Sequence, residues 1–161
     1  MLRKLTVRLG RLRRDECGFA LVLAIAMVLV GMHSDRSGER RWHTAIPAFA
    51  GAIALLAAGY GRSTVVVVAG VGLGLVGAES MVGPFWAMAT SRMSGLSAAA
   101  GIAVINSLAN LGGYYGPDIV GFFRKLNGGF RGGLLAIGAT LALSGGIALI
   151  VGRRPVAADE K

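Results

Sequence analysis

Gly31-Met32-His33-Ser34-Asp35-Arg36-Ser37-Gly38-Glu39-Arg40-Arg41 is a charged stretch set between two uncharged apolar runs, residues 18–30 before it and 44–61 after it. A polar turn this short between segments this apolar has one comfortable place. It belongs at a membrane surface, with a helix entering the bilayer on either side.

Composition extends that reading to the whole chain. Apolar residues fill 54% of the 161 positions with glycine left out of the count, and the mean hydropathy is +0.64. The charges gather at the ends and in short runs, and the spans between them are long enough to cross a hydrocarbon layer about 30 Å thick at about 1.5 Å per residue. The expected fold is an all-α membrane protein, a bundle of five transmembrane helices.

The net charge of +9 is not read as a nucleic-acid footprint. Its basic residues flank apolar spans without interleaved aromatics, which fits a role in setting orientation or touching anionic lipid. The single cysteine, Cys17, leaves no intrachain disulfide and no cysteine-cluster metal site.

Residues 1–17 form a basic arm in which Leu2, Leu5, Leu9 and Leu12 fall on one helical face, as in helices that lie on anionic headgroups. Five spans follow at about 18–33, 43–60, 63–91, 97–123 and 132–151, with a polar tail over 153–161. The first is short: residues 18–32 rise only about 22 Å. Small residues crowd the third and fourth, as in Gly70-Val71-Gly72-Leu73-Gly74 and Ser97-Ala98-Ala99-Ala100-Gly101. In lipid such residues let helices approach closely, so the glycine repeat reads as packing.

With the charged turn placed on the cytoplasmic side, that side carries seven basic residues and the other carries ten, six of them in the arm. Without the arm the usual excess of positive charge inside is restored. The arm is the piece that does not fit.

Two polar stripes stand out against this background. Glu79, Gly83, Trp86 and Thr90 are spaced i, i+4, i+7, i+11 on the third span, and Asn106, Asn110, Gly113 and Pro117 repeat that spacing on the fourth. Polar side chains at membrane depth avoid lipid, so both stripes are expected to face a bundle interior or a watery cavity. The asparagines offer amide donors and acceptors suited to carboxylates and hydroxyls, and Trp86 offers a stacking face and an indole N–H. The competing reading is that the asparagines only join helices and the tryptophan only packs. Glu79 is an acid inside the third span, a costly placement that makes it a candidate for proton coupling; a neutral or locally hydrogen-bonded carboxyl is the plainer reading and is preferred. Gly112-Gly113 and Gly116-Pro117 are expected to loosen the outer end of the fourth helix.

The loop pattern G-x-x-x-D-R-x-G-x-R-R resembles the motif joining the second to third, and eighth to ninth, transmembrane helices of the major facilitator superfamily. Gly83-Pro84-Phe85-Trp86-Ala87-Met88-Ala89-Thr90-Ser91, Ala98-Ala99-Ala100-Gly101-Ile102-Ala103, Ile105-Asn106-Ser107-Leu108-Ala109-Asn110-Leu111-Gly112-Gly113 and Gly116-Pro117 look like the tenth and eleventh helices of its anion:cation symporter family. Members of that family carry organic acids such as sugar acids, tartrate and phthalate, and also inorganic phosphate.

The resemblance implies an incomplete C-terminal half of a twelve-helix transporter fold, beginning within the eighth helix, in a bacterial inner membrane. It implies an organic anion as substrate, a proton as coupling ion, and a substrate site shared with an N-terminal half that is absent or separately encoded, so that the chain alone is inactive. Tryptophan and asparagine at the positions matching Trp86 and Asn106 line the family's substrate cavity. Arg92 and Asp118 depart from its pattern.

Gly31, Asp35, Arg36, Gly38, Arg40 and Arg41 are expected to form a gating loop. In it Asp35 would accept backbone N–H bonds and pair with an arginine, latching one conformation; the competing reading is a solvated loop whose charges only fix topology. His33 and His43 are read as interfacial. The chain holds no paired-acid site, no H-x-x-x-H and no G-x-x-x-x-G-K-S/T, so neither an enzyme nor a metal or cofactor site is expected. The alternative to a transporter is a small non-transporting membrane protein whose basic arm binds anionic lipid or a partner.

Overall fold

The computed structural model describes residues 2–153, with side chains for 17–126 and 128–153. The apolar face of the basic arm and the end of the tail lie outside the described side chains. Among the described residues every regular element is a helix: α1 (Leu2–Ser37), α2 (Arg40–Tyr60), α3 (Thr64–Ser80), α4 (Val82–Thr90), α5 (Gly95–Asn127) and α6 (Arg131–Val151). Five stretches have membrane length and composition, with α3 and α4 together making one of them (Thr64–Thr90). The chain is a multi-pass integral membrane protein.

The helices follow from the solvent. Four consecutive valines, Val65 to Val68, would favour a strand in water. In lipid the backbone groups must be satisfied within the segment, and a helix does this while an open strand does not. Ser63 caps that helix, its Oγ accepting from the Val65 N–H at 3.3 Å. Gly38 ends α1 with φ +69°, its N–H returning to the Ser34 carbonyl at 3.0 Å, and Gly128 ends α5 with φ +67°.

The centre of the bundle is α2. Thr44, Ala45, Ala48, Gly51, Ala52, Leu55, Ala58 and Gly59 are buried along it, between α3 on one side and α6 on the other. Small residues on both neighbours make this possible. A Cβ on Gly70 of α3 would lie 2.6 Å from the Ala54 carbonyl oxygen, and one on Gly145 of α6 would lie 3.3 Å from that of Ala45. The sandwich is held by close backbone approach, the mode of association open to helices in hydrocarbon. α5 packs chiefly on α6, and α1 lies along α3 and α4, where Phe19 reaches Gly72.

Three features differ from the expectation. First, α1 runs unbroken through the charged stretch as far as Ser37, and its membrane-length part, Cys17–Ser37, has 21 residues. The first span is therefore not short, and the turn proper is reduced to Gly38 and Glu39. Second, the third span is interrupted at Met81. Pro84 accounts for this, since it has no N–H for the Ser80 carbonyl and its ring crowds that position. Third, α5 continues through Gly112-Gly113 and Gly116-Pro117 without a break.

Candidate functional site

Across the Met81 interruption, α3 and α4 keep a common face toward the bundle. Gly70, Gly74, Gly77, Ser80, Pro84 and Met88 are all buried. Glu79, Gly83, Trp86 and Thr90 lie on the opposite side: Glu79, Gly83 and Thr90 are exposed and Trp86 is half-buried. Trp86 stacks edge-on with Phe85, ring centres 5.5 Å apart, and its carbonyl accepts from Thr90 Oγ1 at 2.7 Å. Glu79 has no hydrogen-bond or ion-pair partner among the described residues. The local hydrogen bond, one of the two forms preferred from sequence, is not formed among them.

On α5, Asn106 and Asn110 are exposed and hydrogen-bond to nothing among the described residues. They lie roughly a quarter turn from Ala98, Ile102, Ile105 and Val120, the more sheltered side of the helix. They therefore do not join α5 to a neighbouring helix within this chain. Trp86 and the two asparagines are not brought into contact, because α4 packs on α2 and α1 while α5 packs on α6. What the polar groups share is that they face away from the packed interior.

The charged turn has a different construction from the latch expected of it. Asp35 and Arg36 are exposed and form no ion pair among the described residues. Asp35 sits within the last turns of α1, where the backbone N–H groups are already used by the helix, so it caps nothing. The contact that spans helices is made by Arg40, whose Nη1 donates to the Ala87 carbonyl at 2.7 Å, in the last turn of α4. A cation at a helix C-terminus meets the negative end of its dipole, and the Ala87 carbonyl it reaches also accepts from the Ser91 N–H at 3.3 Å. Arg41 pairs with Glu39 at 3.5 Å and lies against Gly152, just past α6, where an added Cβ would strike the Arg41 side chain. His43 bonds through Nδ1 to the Glu39 carbonyl, and its ring lies 4.9 Å from that of His33. These contacts tie the start of α2 to the ends of α4 and α6. Sequence reasoning missed both ends, since neither Ala87 nor Gly152 carries a polar side chain that would mark a partner for an arginine.

An effect on stability follows. Replacing Arg40 with alanine removes a charge-assisted hydrogen bond of about 1.5–3 kcal/mol. Faster amide exchange at residues 40–43 and 88–91 is the expected result by hydrogen–deuterium exchange in micelles. Arg36→Ala, lacking such a contact, is expected to leave exchange there unchanged; equal effects would place the clamp elsewhere.

Comparison with known proteins decides the family. The chain is 40% identical over 143 residues to one Agrobacterium vitis protein named for tartrate transport and 39% identical over 128 residues to a second, alignments that cover 86% and 80% of this chain. It is 34% identical over 110 residues, 68% of its length, to a quinolone resistance transporter of Acinetobacter baumannii. The chain belongs to the major facilitator superfamily. It spans about a third of the length of the Agrobacterium relatives, the alignments covering 32% and 30% of them. No family model matches the chain, and no solved structure matches it. Within the superfamily fold this chain is a partial bundle, whose exposed polar stripes lie on surfaces that its own helices leave uncovered.

Proposed function

We propose that the chain forms one wall of a passage for organic anions, as the C-terminal portion of an anion:cation symporter of the bacterial inner membrane. One observation carries this reading. Trp86, Glu79, Asn106 and Asn110 lie in membrane-length helices yet point away from the packed face, with the asparagine amides and the Glu79 carboxyl unsatisfied among the described residues. Hydrocarbon is a poor solvent for such groups, so a watery passage or a further protein segment fits better. The remaining wall is supplied by a further segment, in the same polypeptide or separately encoded, since transporters of this build bind solute between two halves. Asparagine amides and the Trp86 indole can donate to a carboxylate, and the names of the Agrobacterium relatives favour a small hydroxy acid such as tartrate. Proton coupling, with Glu79 as the candidate acid, belongs to the same reading.

A chimera tests it. The matching third of an Agrobacterium relative is replaced by this chain, and labelled tartrate uptake is followed in cells lacking other carriers. Uptake well above the empty-vector level is expected, whereas this chain alone in liposomes is expected to accumulate none. A chimera that reaches the membrane in full amount and stays inactive would count against the proposal.

A further inference from the structure

Two cavities meet at the end of the bundle where α1, α4 and α6 finish and α2 begins. One, of about 380 Å³, is walled by Glu39, Arg40, Arg41, Ser91, Arg92 and Arg153. The other, of about 340 Å³, is an apolar groove between α2, α4 and α6 bordered by Phe85, Met88, Ile147 and Val151. They adjoin: Met88 borders both, and Val151 of the groove is followed by Gly152 of the charged cavity.

We propose that this pair of cavities binds an anionic phospholipid, with its phosphate among the arginines and one acyl chain in the groove. Four guanidinium groups stand against a single carboxylate, and guanidinium forks match phosphate oxygens in shape as well as charge. The cavity lies where the membrane-length helices end, at the depth of lipid headgroups. The groove suits a hydrocarbon chain because its hydroxyls are committed internally: Thr44 Oγ1 donates to the Arg40 carbonyl and Ser144 Oγ to that of Thr140, each at 2.9 Å. A zwitterionic headgroup brings its own cation against the arginines and is disfavoured. A free phosphate would use only the charged half. None of this depends on the transport reading.

The test is native mass spectrometry of the purified full chain released from micelles. The probes are dioleoyl phosphatidylglycerol, dioleoyl phosphatidylcholine and, as the soluble headgroup, glycerol phosphate. Phosphatidylglycerol is expected to be retained in preference to phosphatidylcholine. The double variant Arg41→Gln/Arg153→Gln is expected to weaken that retention roughly thirtyfold, about fivefold for each basic residue lost near an anionic headgroup. Arg62→Gln/Arg124→Gln, at the opposite end of the bundle, removes the same charge and is expected to change nothing. Ile147→Trp fills the groove from an exposed position and is expected to weaken retention of the lipid while leaving glycerol phosphate unaffected. It keeps the test decisive if the double arginine variant does not fold. Equal retention of the two lipids, an unaltered arginine variant, an unaltered Ile147→Trp variant, or glycerol phosphate held as tightly as the lipid would each overturn the assignment.

Discussion

Replacing Gly77 with valine is expected to unseat α3 from α2. A Cβ at this position lies 2.5 Å from the Pro47 carbonyl oxygen and 2.7 Å from the Gly51 Cα. Both obstacles are backbone, so no rotamer change relieves them. Pro47 and Gly51 belong to the central helix, and α2 can retreat only by pressing on α6, where Gly138 and Gly145 already bring its carbonyls close. Overpacking a core usually costs about 1–3 kcal/mol; with two backbone obstacles and no room to yield, about 3 kcal/mol or more is expected. Gly113→Val provides the comparison, since a Cβ there meets nothing within 4 Å. Thermal unfolding in micelles should show a large loss for the first and a change within about 0.5 kcal/mol for the second. Equal stabilities would mean that α2 and α3 do not meet at Gly77.

The second large effect is functional. In the chimera described above, Trp86→Ala and Asn106→Ala are each expected to lower organic-anion uptake tenfold or more, with protein amounts in the membrane unchanged. A lost hydrogen bond to a charged group accounts for about 1.5–3 kcal/mol, and each 1.4 kcal/mol is about tenfold. Leu108→Ala is the control: Leu108 is equally exposed on α5 but lies on the far side of the helix from Asn106. If Leu108→Ala is as harmful as Asn106→Ala, the asparagine stripe is not a solute surface. A rise in KM with the maximal rate preserved would mark both residues as binding groups.

The parts of the fold legible in the sequence were those set by solubility in hydrocarbon. Uncharged runs gave the spans, the third was placed from Ser63, and the repeat Gly70, Gly72, Gly74 was read as packing; the structure buries Gly70 and Gly74 of these against α2. The end of α1 was misread because the charges of Asp35 and Arg36 mark where the bilayer stops, not where the helix does; a helix leaving hydrocarbon continues for as long as its backbone bonds are kept. The interruption at Met81 was within reach, because Pro84 forbids one bond at a known offset. The loosening expected of α5 was not realised, since Gly116-Pro117 leaves the helix continuous there. As for the candidate site, periodicity placed Glu79, Trp86 and Thr90 on one side of a helix. It could not say that Arg40 would reach the last turn of α4, because contacts between helices depend on how they are set together in space.

The uneven packing of α5 has a mechanical consequence. α2, α3 and α6 interlock through glycine and alanine contacts at backbone distance and so travel as one stiff block. α5 is braced mainly along α6, with Val120 resting on Gly133 near the Gly128 bend. A displacement of the helix that carries Asn106 and Asn110 would thus cost less than a rearrangement of the block, and its pivot would lie at the Gly128 end.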